Sequence, residues 1–262
     1  MMTNGEILRF VEAISRERTV DKEIIFEALE QALALATKKH LQLEETPTVK
    51  IDRGSGAIQA WEGETPIDTT ALGRIDYQAA RQTFVQKLRE AESETVFHEF
   101  AHKKGDIVTC TVARYEGPHI VCKIGDKAEA TLLKMEQVPG ESYRMGERLR
   151  AYIVEVEKKG TRVKVYLSRA HEDFVKRLFT LEVPEISDGT IVIKGIAREP
   201  GYRTKVTVHS INDRVDCLGA CVGVRGSRIR NIVDELNGEN VDIVRWSGES
   251  IELIRNALKP AE

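Results

Sequence analysis

Between Gly223 and Arg230 the chain reads Gly-Val-Arg-Gly-Ser-Arg-Ile-Arg, and no acidic residue occurs from Gly219 to Asn231. These residue types at this spacing suit a polyanion with a sugar–phosphate backbone. Glycines at 223 and 226 let the chain turn sharply and leave room for another backbone to come close. Ser227 opens a helical stretch whose free N–H groups and dipole favour an anion. Arg225, Arg228 and Arg230 add positive charge. The first set of candidate binding residues is therefore Gly223, Val224, Arg225, Gly226, Ser227, Arg228 and Arg230. A lone Gly-x-x-Gly is also an ordinary helix cap, so the surrounding elements must decide.

Other chemistry-bearing patterns are weaker. His98-Glu99-Phe100-Ala101-His102 has the H-E-x-x-H form of a zinc-protease helix. A zinc hydrolase also needs a third ligand and a cleft. Here the pattern closes a helical segment and runs into Lys103-Lys104, whose charge opposes a cation. Four cysteines in 262 residues, at 110, 122, 217 and 221, make neither a disulfide framework nor a four-thiolate metal site. They read as reduced thiols in or near cores. Neither a phosphate-binding Gly-x-x-x-x-Gly-Lys-Ser/Thr loop nor a dinucleotide fingerprint occurs. The expectation is a protein with no catalytic residues, no metal and no cofactor.

With 41% hydrophobic and 31% charged residues, the chain is neither disordered nor collagen-like. No apolar run approaches the roughly 20 residues that span a bilayer, and the first residues show no signal-peptide block. A cytoplasmic protein without a membrane partner is expected. The net charge of −3 hides a division. Residues 1–102 hold 12 Lys+Arg against 18 Asp+Glu, residues 103–170 hold 14 against 9, and residues 171–262 hold 13 against 15. A basic middle behind an acidic start suggests unlike partners for unlike parts.

The positioning elements follow from periodicity. Thr3-x-x-Glu6 has capping-box form ahead of the stripe Ile7, Phe10, Val11 and Ile14. Asp21 caps a second predicted helix, with Lys38-Lys39-His40 at its negative end. Strands Thr48–Asp52 and Ala57–Glu62 form a predicted hairpin around Arg53-Gly54-Ser55-Gly56. Residues 63–75 read as loop. A long helix runs from Tyr77 to about Phe100. Five predicted strands then follow: Ile107–Arg114, His119–Ile124, Ala128–Leu133, Arg148–Val156 and Arg162–Ser168. Five short strands in about 65 residues fit a small closed barrel of OB type. Such barrels stack bases on aromatics beside a basic groove. Tyr115, His119 and Lys123, with Arg114 close by, fall in its first hairpin and are the second set of candidates.

From about His171 the predicted order is helix, strand, strand, helix, helix, strand, with a last helix from Glu249 to Leu258. Gly223–Gly226 lies between the two adjacent helices. That is where a KH module holds its Gly-x-x-Gly, which clamps about four nucleotides of single-stranded nucleic acid.

Residues 210–246 resemble the first KH domain of the NusA transcription elongation and termination factors. The residues that carry the likeness are Asn212-Asp213-Arg214-Val215-Asp216, Gly219-Ala220-Cys221-Val222-Gly223-x-Arg225-Gly226-Ser227-Arg228, and Glu235-Leu236-Asn237-Gly238-Glu239-Asn240 running on to Trp246. Leu178-Phe179, Leu181 to Ile186, the turn Ala197 to Gly201, and Glu27 to Ala34 with Lys38-Lys39 are similar too. Cys217-Leu218 replaces a usual Pro-Val, and residues 63–75 are shorter than the family pattern.

The resemblance implies a multidomain α+β protein in three parts: an α/β polymerase-binding N-terminal domain with its linker helix (1–102), a five-stranded OB-type S1 barrel (103–170), and a type II KH domain (171–262). It also implies a bacterial, cytoplasmic, non-enzymatic regulator. Its expected partners are RNA polymerase, nascent single-stranded RNA and other antitermination factors, and its expected effects fall on pausing, termination and antitermination. The family continues with a second KH domain where this chain stops, so weaker RNA binding is expected. Two other classes compete. One is a ribosome-associated RNA chaperone. The other is an RNA-binding accessory of an RNA-processing enzyme, although polynucleotide phosphorylase places its KH and S1 domains after a catalytic core that residues 1–102 cannot hold.

Overall fold

A computed structural model of the chain describes residues 4–18, 20–67, 77–125 and 128–259. Thr3 of the expected capping box, the expected loop beyond residue 67, and Asp126 lie outside the described residues. The chain divides into two compact units. One is Met1–His98 with Lys158–Arg162, and the other is Glu99–Glu157 with Val163–Glu262.

The first unit begins with helices α1 (Asn4–Arg18) and α2 (Lys22–Leu41). Asp21 caps α2 by accepting from the Glu23 amide at 2.7 Å. Strands β1 (Thr48–Ile51) and β2 (Ile58–Glu62) form the expected antiparallel hairpin, and a two-residue β3 (Thr65–Pro66) extends it. Asp52 fixes the turn by accepting from the Gly54 and Ser55 amides and the Ser55 hydroxyl. Helix α3 spans Tyr77–Ala101. Ile7, Val11, Ile25 and Phe26 bury against Phe84 and Leu88 of α3. The Glu30 side chain is almost fully enclosed. It accepts from the Ile51 amide (2.8 Å) and pairs with Arg53, whose guanidinium lies 4.7 Å from the Phe26 ring centre.

In the second unit, β4 (Ile107–Glu116), β5 (His119–Ile124), β6 (Ala128–Leu132), β7 (Arg148–Lys159) and β8 (Arg162–Ser168) close a barrel in the order β4-β5-β6-β8-β7. A single 3-10 turn, Lys134–Glu136, falls in the long gap before β7. Behind the barrel come α4 (Glu172–Glu182), α5 (Pro184–Ser187), β9 (Ile191–Glu199), β10 (Arg203–Ser210), α6 (Cys217–Val222), α7 (Ser227–Glu235), β11 (Asn240–Arg245) and α8 (Ser250–Leu258). The expected element order holds, with α5 as an addition. β10 is the central strand, antiparallel to β9 and parallel to β11. Phe174, Leu178, Phe179, Val206, Val208 and Ile232 make the core beneath it.

Two enclosed ion pairs organise this unit. Arg198 and Glu239 are 2% and 0% exposed, with Nη2 2.9 Å from the carboxylate. Glu239 also accepts from the Thr204 hydroxyl and the Gly201 amide, while Arg198 donates to the His171 carbonyl at 2.8 Å. One pair thus joins the head of α4, the β9–β10 turn and the entry to β11. Arg169 donates to Glu141, to the Arg150 carbonyl and to Glu235, and so ties barrel to helix α7. Tyr152 of the barrel stacks on His171 at 5.2 Å, and Ile107 and Tyr152 pack against the core under the sheet.

Burial works to raise the Glu239 carboxyl, but Arg198, Thr204 and Gly201 outweigh it and hold the group below its ordinary 4.5. Its stabilisation is therefore complete above the ordinary value and fades as pH falls through the depressed one. Glu239→Ala strands a buried guanidinium and is expected to cost about 3–5 kcal/mol. The check is the urea midpoint read by Trp246 fluorescence in a Trp61→Phe background. The gap between wild type and Glu239→Gln should narrow on acidification, and a gap that widens would contradict the assigned direction.

Candidate nucleic-acid interface

Helix α6 is short because both its ends are specified. At its start the Asp216 carboxylate accepts from the Leu218 (3.3 Å) and Gly219 (3.1 Å) amides. A Cβ at 219 would sit 2.7 Å from that carboxylate, so a side chain here would displace the cap. Cys217 and Cys221 turn inward to the core, which sets the helix's rotation. At its end Gly223 has φ 75° and ψ 173°, a conformation that glycine alone adopts readily.

A single 3-10 turn, Val224–Gly226, then carries the chain into α7. It is closed by the Gly226 amide donating to the Gly223 carbonyl at 3.0 Å. Arg225 (φ 53°, ψ 26°) and Gly226 (φ 76°, ψ 19°) are both left-handed. The result is a tight projection at the head of α7, with Val224, Arg225 and Ser227 exposed. Val224 is 82% exposed and presents an apolar side chain at its tip.

The three arginines of this stretch play different parts. Arg225 points to solvent. Arg230 is exposed but reaches back, donating from Nη2 to the Arg225 carbonyl at 2.6 Å. Arg228 turns inward and donates from Nη1 to the Ala220 carbonyl (2.6 Å) and to Glu185 (2.9 Å). The glycines differ as well. A Cβ at 226 would meet nothing closer than 3.7 Å, whereas one at 223 would strike the Arg228 stem at 2.7 Å.

The barrel candidates are split by the fold. A register shift between Val112 and Arg114 sets Tyr115 opposite Ile120 and Glu116 opposite His119. Cross-strand partners share a face, and faces alternate along a strand. Tyr115 therefore shares the side of Ile120, but it remains 53% exposed, and its hydroxyl donates to the Tyr143 carbonyl. His119 and Lys123 lie on the outer face. His119 Nδ1 accepts from the Lys134 amide at 3.2 Å. Arg114 on that face is already paired with Glu116 and Glu129.

The zinc-like pattern takes a different form from a metal helix. His98 pairs with Glu94 at 3.1 Å, and α3 ends at Ala101, one residue short of His102. Among the described residues no three His, Cys, Asp or Glu side chains gather as a metal would require. All four cysteines are buried and free. Burial, then neighbouring Cys217, push the Cys221 thiol up to about 12. A hydrogen bond with the Cys122 thiol holds the Cys110 thiol above the ordinary thiol range, with burial adding to it. Among the described residues no helix is long and apolar enough to cross a membrane.

Comparison with known proteins agrees with this geometry. A family model for the NusA-like first KH domain matches residues 169–246, and one for the NusA N-terminal domain matches residues 6–71. The transcription termination/antitermination protein NusA of Halalkalibacterium halodurans is 38% identical over 291 residues, covering 99% of this chain and 76% of its own length. The protein of the same name from Bacillus subtilis is 35% identical over 291 residues, covering 99% of this chain and 78% of its own.

The unequal surroundings of the two glycines give a measurable difference. An L-residue in a left-handed conformation costs about 1–2 kcal/mol, so Gly226→Ala should lose about that much. Gly223→Ala should lose more, because it must also displace Arg228. Paired thermal melts would decide, and equal losses would contradict the packing described.

Proposed function

The chain belongs to the NusA family of transcription termination/antitermination proteins, and on that premise we propose that it acts by binding nascent RNA and RNA polymerase together. The observation that carries this reading is the left-handed projection Gly223–Gly226 at the head of α7, within the stretch that matches a NusA-like KH domain. We read residues 171–262 as a type II KH domain, the closed barrel within 103–170 as an S1 domain of OB type, and residues 1–102 as the polymerase-binding part. The acidic balance of 1–102 and the basic balance of 103–170 support unlike partners for the two.

In this reading a single strand of RNA lies along Gly226 and Ser227. Arg225 and Arg230 supply charge to a phosphate, and Val224 gives a base an apolar surface. His119 and Lys123 on the outer wall of the barrel, opposite Glu116 and Glu129, are a second set of candidate contacts. By holding transcript and enzyme at once, the protein changes how long polymerase dwells at pauses and terminators. It works by binding, with no catalytic step, in the bacterial cytoplasm, and other antitermination factors are further partners.

The experiment is transcription with purified bacterial polymerase, scoring pause lifetimes with and without the protein. The unaltered chain should change those lifetimes and should co-purify with core polymerase. Arg225→Glu places a negative charge at the projecting tip. It should weaken binding to single-stranded RNA by about tenfold, the scale of a lost charge-assisted hydrogen bond, while polymerase binding persists. Retention on ribosomes without polymerase binding would favour an RNA chaperone instead.

A further inference from the structure

Arg228 occupies the space that a side chain at position 223 would need. A Cβ built on Gly223 falls 2.7 Å from Arg228 Cγ and 3.0 Å from its Cδ. The stem therefore runs directly behind the loop. Its guanidinium ends on the Ala220 carbonyl in the last turn of α6 (2.6 Å) and on Glu185 of α5 (2.9 Å). One side chain thus spans three elements: the α7 helix that bears it, the end of α6, and the four-residue α5. The Arg228 side chain is 29% exposed, while Val224 at the tip of the loop is 82% exposed.

We propose that Arg228 is a positioning residue of the RNA-binding loop rather than one of its phosphate ligands. It fills the slot left by Gly223 and anchors the end of α6, so that the Val224–Gly226 turn holds its binding shape before RNA arrives. The proposal rests on the preceding reading that this loop meets RNA. Two physical facts make such a brace necessary. A non-glycine residue in the left-handed region, here Arg225, persists only when its surroundings over-determine it. Ordering the loop in advance removes a cost that would otherwise be met on binding. Gly223 then has a different task from Gly226. Position 223 is bare to admit the Arg228 stem from inside, and position 226 is bare on the open side, where a strand can approach.

Binding by the full chain to an unstructured single-stranded RNA of roughly a dozen nucleotides, several times the span one KH loop clamps, tests this across a range of KCl concentrations. Amide resonances of Gly223 and Gly226 in the free protein are followed alongside. Arg228→Ala should weaken affinity about tenfold, the scale set by lost bonds to a charged group. It should shift both glycine resonances and leave the slope of affinity against salt unchanged. Arg228→Lys should recover part of the affinity, because its stem refills the slot and its ammonium reaches the Ala220 carbonyl. Glu185→Gln, which preserves the packing, should give a smaller loss, again with an unchanged slope.

A slope reduced by about 0.7, the share of one phosphate on a single strand, with the glycine resonances in place, would make Arg228 a phosphate ligand and overturn the proposal. Unaltered affinity in Arg228→Ala would overturn it too. If the unaltered chain bound no RNA at any salt concentration, the functional reading would fall instead. The free-protein resonances would still decide whether Arg228 sets the loop.

Discussion

The projection in the second unit depends on a backbone constraint within four residues, Gly223 to Gly226. Gly223, Arg225 and Gly226 all have positive φ, and the chain must pass from α6 to α7 through them. Of these three positions only Arg225 has a side chain that resists a positive φ. What holds it is the Arg228 stem packed against Gly223 from behind and, on the exposed side, the bond from Arg230 to the Arg225 carbonyl. The projecting surface is therefore produced in part by contacts on its hidden side.

That hidden side must itself be firm. Buried ion pairs are expensive unless their polar atoms find partners, and in these two pairs every guanidinium nitrogen and carboxylate oxygen has one. Glu239 takes bonds from Arg198, Thr204 and Gly201. Arg169 spreads its N–H groups over Glu141, Glu235 and two carbonyls, with its guanidinium 5.2 Å from the Phe174 ring centre. These charge-assisted bonds have direction, and they join loops at fixed angles. The Gly201 turn meets the barrel so closely that a Cβ there would lie 2.7 Å from the Pro139 carbonyl.

Most of this fold was legible in the sequence because its signals are local. Apolar periodicity, the Asp21 cap and the turn residues around Gly54 are read within a few positions, and the structure places those elements to within a residue or two. What escaped was short or distant. Helix α5 is only four residues long and begins at Pro184, which reads equally well as the end of α4. Arg198 and Glu239 are 41 residues apart, and nothing in either neighbourhood names the other. The grouping of Tyr115 with His119 and Lys123 rests on their place in the first hairpin of the barrel. In a straight ladder Tyr115 faces His119, but the single irregularity between Val112 and Arg114 turns it to the opposite side. A bulge of this kind carries no residue signature here.

The candidate loop shows the same limit at finer scale. Residue types marked Arg225, Arg228 and Arg230 as equivalent, since composition counts charge and not direction. In the structure one arginine is free, one bonds back across the loop and one is committed inward to a carboxylate on α5. The loop therefore presents less charge than its sequence suggests. Each phosphate contact brings its own share of salt dependence, so a loop with few free cations gains comparatively little of its affinity from counterion release. In the proposed reading the remainder comes from the shape into which the loop is held. Shape is what Arg228 supplies, which is why a residue withdrawn from the surface bears on what the surface can bind.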